Sequence, residues 1–198
     1  VKSVKKSTSF LTGNTNIFSG MRKLSTDEIS QKRVKKEPHE TINRLPLTVL
    51  VDNVRSLYNV GSIFRTSDGA MVQHLLLTGY TPTPPRKEIE KTALGATDSV
   101  PWSYSDDPVA SLKALKSKGV RICCLEQTDK SIPYFEIQHK DFPLCLVLGN
   151  EISGVSLSLL EQCDTSLEIP MFGKKHSLNV AVAYGIAVFH LSRTWRGM

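Results

Sequence analysis

Cysteine, tryptophan and long apolar runs are all scarce in this chain, which has four cysteines and two tryptophans in 198 residues. No two cysteines stand at Cys-x-x-Cys spacing, so a zinc site finds no support and no metal is expected. Cys123, Cys124 and Cys145 lie within or beside apolar segments, the pattern of reduced, packed thiols in an intracellular, cytoplasmic protein. No apolar run approaches the roughly 20 residues that span a bilayer, so no membrane partner is expected. A Gly-x-Gly-x-x-Gly run is also missing, which removes support for a Rossmann-type cofactor site.

What is present is an uneven charge. Residues 1–44 hold 10 Lys/Arg and 4 Asp/Glu, while the rest of the chain holds 15 of each, so the net +6 sits entirely in the first segment. Residues 1–44 read as a basic, largely flexible arm suited to a polyanion such as RNA, or as a solvated linker. Within it, Met21 to Arg44 has the signals of a short helix capped by Ser25 or Thr26 and stopped at Pro38. Residues 45–198 form the folded domain, and the 40% hydrophobic content is enough for a core.

That domain alternates between two patterns. Leu47–Asn53 is a continuous apolar run, the mark of a strand buried on both faces. Val60, Ile63 and Phe64 then fall on one helical face behind Asn59, which stands at the expected N-cap. Further strands are expected at His74–Leu77, Val100–Tyr104, Val120–Glu126, Pro143–Glu151 and Thr165–Ile169. Helices are expected at Glu88–Ala93, Pro108–Lys118 and Ser156–Gln162. From Ser177 the chain turns apolar almost all round, which predicts a buried final helix, with Ser177 as one candidate N-cap. The alternation argues for an α/β fold with a mostly parallel sheet flanked by helices. Ligands in such sheets bind beyond the carboxyl ends of the strands. The loops after Leu125, Leu148 and Ile169 are therefore the places where a site is expected.

Three clusters lie in or beside those loops. In Asn59-Val-Gly61-Ser-Ile-Phe-Arg65, Arg65 falls off the apolar stripe, so core packing does not explain it. In Leu148-Gly149-Asn150-Glu151-Ile-Ser-Gly154, Gly149 permits close backbone approach to a ligand, and Glu151 is either a functional carboxylate or the start of a turn. The third runs from Met171 through Lys174, Lys175, His176 and Ser177 to Asn179.

The order NxGxxxR, LGNExxG, IPMxGxxxSLNVAVA resembles the SpoU (TrmH) family of RNA ribose 2′-O-methyltransferases, within the SPOUT superfamily. The resemblance covers about Leu47 to Arg193, and the segment Lys91–Val100 (KTALGATDSV) is similar to the family's intervening stretch. One departure is mild: Ala181 stands where relatives often carry serine. The resemblance implies a C-terminal deep trefoil knot, a homodimer, and S-adenosyl-L-methionine held by Leu125, Glu126, Gln127, Gly149, Asn150, Ile169, Met171, Ser177 and Leu178. It also implies a catalytic set of Arg65, Asn59, Glu151, Ser177 and Asn179. On that reading Arg65 binds the adjacent phosphate and stabilises the developing alkoxide, and Asn59 and Glu151 hold Arg65 and the ribose. Ser177 and Asn179 then shape the donor pocket and acceptor site. Arg55, Arg86, Lys87, Lys174 and Lys175 are the candidates for RNA contact, whereas Trp102 and Tyr104 are read as core or dimer packing, with stacking on bases as the alternative. The expected substrate is tRNA more than rRNA. The reading from another class is a non-catalytic RNA-binding protein on the same scaffold.

Overall fold

A computed structural model describes residues 21–32 and 43–198. Val1–Ile42 and Asn43–Met198 are separate units. In the first, helix α1 (Thr26–Lys32) starts at a reciprocal cap. Ser25 Oγ accepts from the Glu28 N–H at 3.2 Å, and the Ser25 N–H donates to Glu28 Oε2 at 2.8 Å, which satisfies donors that a helix end leaves free. The expected stop at Pro38, and the flexible reading of residues 1–20, lie outside the described residues.

The second unit is built on a seven-stranded sheet. Its strands are β1 (Leu45–Asp52), β2 (Val72–Thr78), β3 (Trp102–Ser105), β4 (Arg121–Leu125), β5 (Ile132–Pro133), β6 (Leu144–Leu148) and β7 (Thr165–Glu168). They lie in the order β3-β2-β1-β6-β4-β7-β5, and every ladder is parallel. The helices of this unit are α2 (Leu57–Ala70), α3 (Lys87–Ala93), α4 (Ala96–Ser99), α5 (Pro108–Lys116), α6 (Leu157–Leu160) and α7 (Val180–Arg196).

Period-two alternation divides the core between the sheet faces. Leu47, Val49 and Val51 of β1 and Leu144, Leu146 and Leu148 of β6 share one cluster with α2 and α7. Leu50, Cys145 and Val147 point the other way, into a cluster with Leu112 of α5 and Leu159 of α6. Because β1 and β6 are covered on both sides, their sequences read as unbroken apolar runs. The cysteines are free, and burial pushes the thiols of Cys123 and Cys145 up to about 12, so both stay protonated.

Three expectations need correcting. Helix α2 is capped by Ser56, whose Oγ accepts from the Asn59 N–H, so Asn59 lies inside the first turn. Helix α7 starts at Val180 with Asn179 as its cap, and Ser177 stays in the preceding loop. Asn179 wins because its Oδ1 takes the Ala181 and Val182 N–H groups at 2.9 and 3.3 Å. Nor is α7 buried all round. Tyr184, Ala187, Val188 and Leu191 enter the core, whereas Val182, Ile186 and Phe189 are 52%, 37% and 53% exposed. Tyr184 is tied to α2 by its hydroxyl, 2.7 Å from Ser67 Oγ. Among the described residues no helix is long and apolar enough to cross a membrane.

Candidate active site

Strands β6, β4 and β7 are consecutive in the sheet, so the loops leaving their carboxyl ends emerge side by side. This adjacency brings together segments far apart in sequence. They enclose a cavity of about 420 Å³, within the range of small-molecule and cofactor sites. Leu125, Glu126 and Gln127 line it from the β4 loop, Gly149 and Asn150 from the β6 loop, and Ile169, Met171, Ser177 and Leu178 from the β7 loop. The structure thus gathers every residue proposed for the cofactor around one hollow.

The β6 loop is a tight backbone-to-backbone turn. Asn150 and Gly154 exchange N–H to carbonyl hydrogen bonds at 3.0 Å each way. A Cβ on Gly149 would lie 2.3 Å from the Gly154 carbonyl carbon, so glycine is needed there for the chain to close on itself. Glu126 braces the turn from outside: its carboxylate accepts from the Val155 N–H at 3.0 Å and from the Gln127 N–H at 2.9 Å. The Asn150 amide is engaged at both ends. Its Oδ1 accepts from the Ile152 and Ser153 N–H groups, and its Nδ2 donates to Asn53 O at 2.8 Å and Tyr80 Oη at 2.9 Å. Across the opening, Gln127 Nε2 donates to His176 O at 2.7 Å, joining the β4 and β7 loops.

A second network rims the cavity. Glu151 Oε2 accepts from the Arg55 N–H, and Oε1 accepts from the Ser56 N–H and from Asn59 Nδ2, all at 3.0 Å. Asn59 Oδ1 in turn accepts from Asn179 Nδ2 at 3.0 Å. The chain Glu151–Asn59–Asn179 therefore locks the β6 loop to the first turns of both α2 and α7. Partial burial of Glu151 raises its pKa. The donors Arg55 N–H, Ser56 N–H and Asn59 outweigh that effect and hold the carboxyl below its ordinary value. An ionised Glu151 can only accept hydrogen bonds. Its position beside the amino end of α2 also suits a negative charge.

Arg65 stands apart from this network. It is exposed on α2, does not line the cavity, and its side chain donates no hydrogen bond among the described residues. It lies about 9 Å further along the helix than Asn59 at 1.5 Å per residue. Within one chain, then, Asn59 and Glu151 hold each other and not Arg65, because the Glu151 oxygens already face two backbone donors and an amide. Gly61 of the same motif has a packing role. A Cβ there would strike Ile89 O at 2.3 Å, so the glycine lets α3 approach α2.

Of the candidates for RNA contact, Arg55 and Arg86 face a separate groove of about 610 Å³ beyond β1, β2 and β3. Lys87, Lys174 and Lys175 are exposed, the first at the start of α3 and the others in the β7 loop. Tyr104 lies outside the core of this chain: the residue is 49% exposed in the same groove. Sequence reasoning missed Tyr80 and Asn53. Asn53 takes a left-handed φ of 55° at the end of β1. An asparagine following a buried strand is the signal that could have exposed it, since Asn is enriched in that conformation. Among the described residues no group of His, Cys, Asp or Glu could hold a metal ion.

Fold and cavity together define a parallel α/β protein with a ligand site at the carboxyl edge of its sheet. Residues 46–189 match the model of the SpoU rRNA Methylase family, and the chain belongs to that family. It is 34% identical over 148 residues to a tRNA (guanosine(18)-2′-O)-methyltransferase of Aquifex aeolicus, a match covering 74% of this chain and 69% of the relative. It is 32% identical over 154 residues to the 23S rRNA (guanosine-2′-O-)-methyltransferase RlmB of a Burkholderia species, covering 78% of this chain and 62% of the relative. The chain thus spans roughly three-fifths to two-thirds of these relatives' length. The crystal structure of the A. aeolicus TrmH/SpoU tRNA modifying enzyme superposes with a TM-score of 0.71 at 31% identity, covering 78% of this chain and 77% of that one. An AdoMet-bound rRNA methyltransferase from Sinorhizobium meliloti gives 0.70 at 29% identity, covering 74% and 56%.

Proposed function

We propose that this protein transfers a methyl group from S-adenosyl-L-methionine to a ribose 2′-hydroxyl of RNA, with tRNA as the substrate. Family membership supports the reaction class. The match to the A. aeolicus tRNA enzyme, which covers more than two-thirds of both chains, favours tRNA. The observation that carries the reading is the convergence of the β4, β6 and β7 loops on one cavity.

The cavity suits that cofactor. Its wall combines apolar side chains (Leu125, Leu148, Leu167, Ile169, Met171 and Leu178) with backbone at Gly149. That mixture fits a flat, weakly polar heterocycle whose edges hydrogen-bond to main chain. Leu125–Gln127, Gly149–Asn150 and Ile169–Leu178 would hold it. When bound, S-adenosyl-L-methionine supplies an electrophilic methyl on a sulfonium, open to in-line attack. The protein's part is mostly positioning. Asn179 and Asn59, fixed by the ionised Glu151, set the floor against which the ribose rests. Arg65, always charged, binds the neighbouring phosphate and stabilises the alkoxide as it develops.

Arg65 reaches a reaction centre through a second copy of the chain. The exposed apolar residues Val182, Ile186 and Phe189 on α7 support a homodimer, since they stand at i, i+4 and i+7 on one helix face. Threading of the chain as a trefoil knot belongs to the same proposal. It is favoured by the insertion of β7 between β4 and β5 and by the contact between the β4 and β7 loops.

The test is incubation with methyl-labelled donor and, separately, bulk tRNA and rRNA, followed by digestion to nucleosides and mass spectrometry. A 2′-O-methylnucleoside from tRNA is expected. A methyl on the base sinks the ribose assignment, and label in rRNA alone sinks the choice of tRNA.

A further inference from the structure

The groove beyond β1, β2 and β3 has features that the methyl-donor cavity lacks. Arg55 and Arg86 line it, no aspartate or glutamate does, and neither guanidinium makes a hydrogen bond or ion pair among the described residues. Two unneutralised cations converging on one hollow from separate loops form a seat for an anion. Beside them stand two exposed rings, Tyr80 at 60% and Tyr104 at 49%.

Both rings are anchored by their polar ends. The Tyr104 hydroxyl donates to Gly79 O at 2.8 Å. The Tyr80 hydroxyl accepts from Asn150 Nδ2 at 2.9 Å, and its N–H donates to Asn53 Oδ1 at 3.2 Å. Gly79 itself sits at φ +61°, where a Cβ would come within 2.2 Å of Asn53 Oδ1, so the turn holding the rings is closely packed. Large aromatic surface left exposed while its hydroxyls are tied down is a stacking platform. Tyr80 also shares Asn150 with the methyl-donor cavity, so the two hollows adjoin.

We propose that this groove seats one unpaired nucleotide of the RNA, next to the nucleotide whose ribose is methylated. Its base stacks on Tyr104 and Tyr80, and its phosphate lies between Arg55 and Arg86. The occupant is single-stranded because bases within a duplex offer no free face for stacking. Placing the seat beside the modified nucleotide rests on the methyltransferase reading above.

The experiment titrates the full chain into fluorescein-labelled oligouridine and follows anisotropy over a series of KCl concentrations. Tyr104→Leu binds about tenfold more weakly, the size expected for losing one stacked base, while Tyr104→Phe, which keeps the ring, stays near wild type. Arg86→Gln lowers the slope of log affinity against log salt by about 0.7, one single-strand phosphate contact. This surface change also decides the matter should Tyr104→Leu fail to fold. Binding that ignores both the ring and Arg86, or no binding by the wild type, overturns the seat. Methyl incorporation into bulk tRNA and rRNA by the wild type is measured in parallel. Incorporation together with ring-independent binding removes the seat and spares the enzyme reading. Ring-dependent binding without incorporation into any RNA does the reverse.

Discussion

The two hollows at the carboxyl edge of the sheet differ in how their polar groups are satisfied. Around the methyl-donor cavity Glu126, Asn150, Glu151, Asn59 and Asn179 all bond to backbone or to one another. In the groove, and at Arg65 on α2, the cations have no partner among the described residues. Internally satisfied groups fix shape, because moving one strands its neighbours. Unsatisfied ones are at the disposal of whatever binds. On the proposed function, the first kind belongs to the scaffold of the cavity and the second to recognition and chemistry.

The sharpest way to break this division is Arg65→Ala. If Arg65 is a working cation, turnover falls about 10²–10³-fold, in line with the loss of one stabiliser of developing charge, while calorimetric affinity for S-adenosyl-L-methionine is unchanged. Near-normal turnover would end its assignment. Gly149→Ala tests the opposite kind of residue. A Cβ against the Gly154 backbone forces the turn open, so turnover falls roughly 100-fold, as for a displacement of about 1 Å, and calorimetric affinity for S-adenosyl-L-methionine falls with it. Oligouridine binding in the adjoining groove persists. If the proposed homodimer forms through the exposed face of α7, Phe189→Asp turns it into monomer by light scattering and lowers methyl transfer further than cofactor binding.

Glu151→Gln probes the rim network with a smaller effect. Its amide serves the three donors less well than a carboxylate, and the loss is about 1 kcal/mol for a solvent-exposed cluster, or about 2–4 °C in Tm. The pH dependence follows from the direction of the shift. Glu151 has its pKa lowered on folding, so its stabilisation is complete above the ordinary carboxyl range and fades as pH falls towards the lower folded value. Wild type and Glu151→Gln should therefore differ in Tm at pH 7 and converge as the pH falls below the ordinary carboxyl range. A gap that widened in acid would contradict the network.

How much of this could be read from residues alone depended on the range of the interactions. Strands β1, β4 and β6 stood out because burial on both faces leaves them almost wholly apolar, with Thr48, Asp52 and Arg121 the exceptions. Strand β5, only Ile132–Pro133, and α4, only Ala96–Ser99, are too short to carry a period. The cap of α2 is Ser56 and not Asn59, although both are good capping residues standing three apart, and the sequence alone does not choose between them. What a local pattern does not carry is the further hold of Glu151, more than ninety residues away, on the Arg55 and Ser56 N–H groups. The exposed face of α7 was invisible because an apolar helix awaiting a partner and one buried in a core have the same composition. The cavity was easier, since its lining follows from where buried strands end, with the family resemblance supplying the cofactor. The groove was harder to read as a unit because Arg55 comes from the loop after β1, Tyr80 and Arg86 from the connection after β2, and Tyr104 from strand β3, with no shared motif.

The pairing of β1 with β6 has a consequence for how the molecule comes into being. Leu47 lies opposite Leu144, so during synthesis the first strand leaves the ribosome with one edge open until most of the chain has followed. Contacts spanning such a distance form late, and the β7 loop that closes the cavity comes later still. The loops around the cavity are thus among the later parts of this α/β unit to settle.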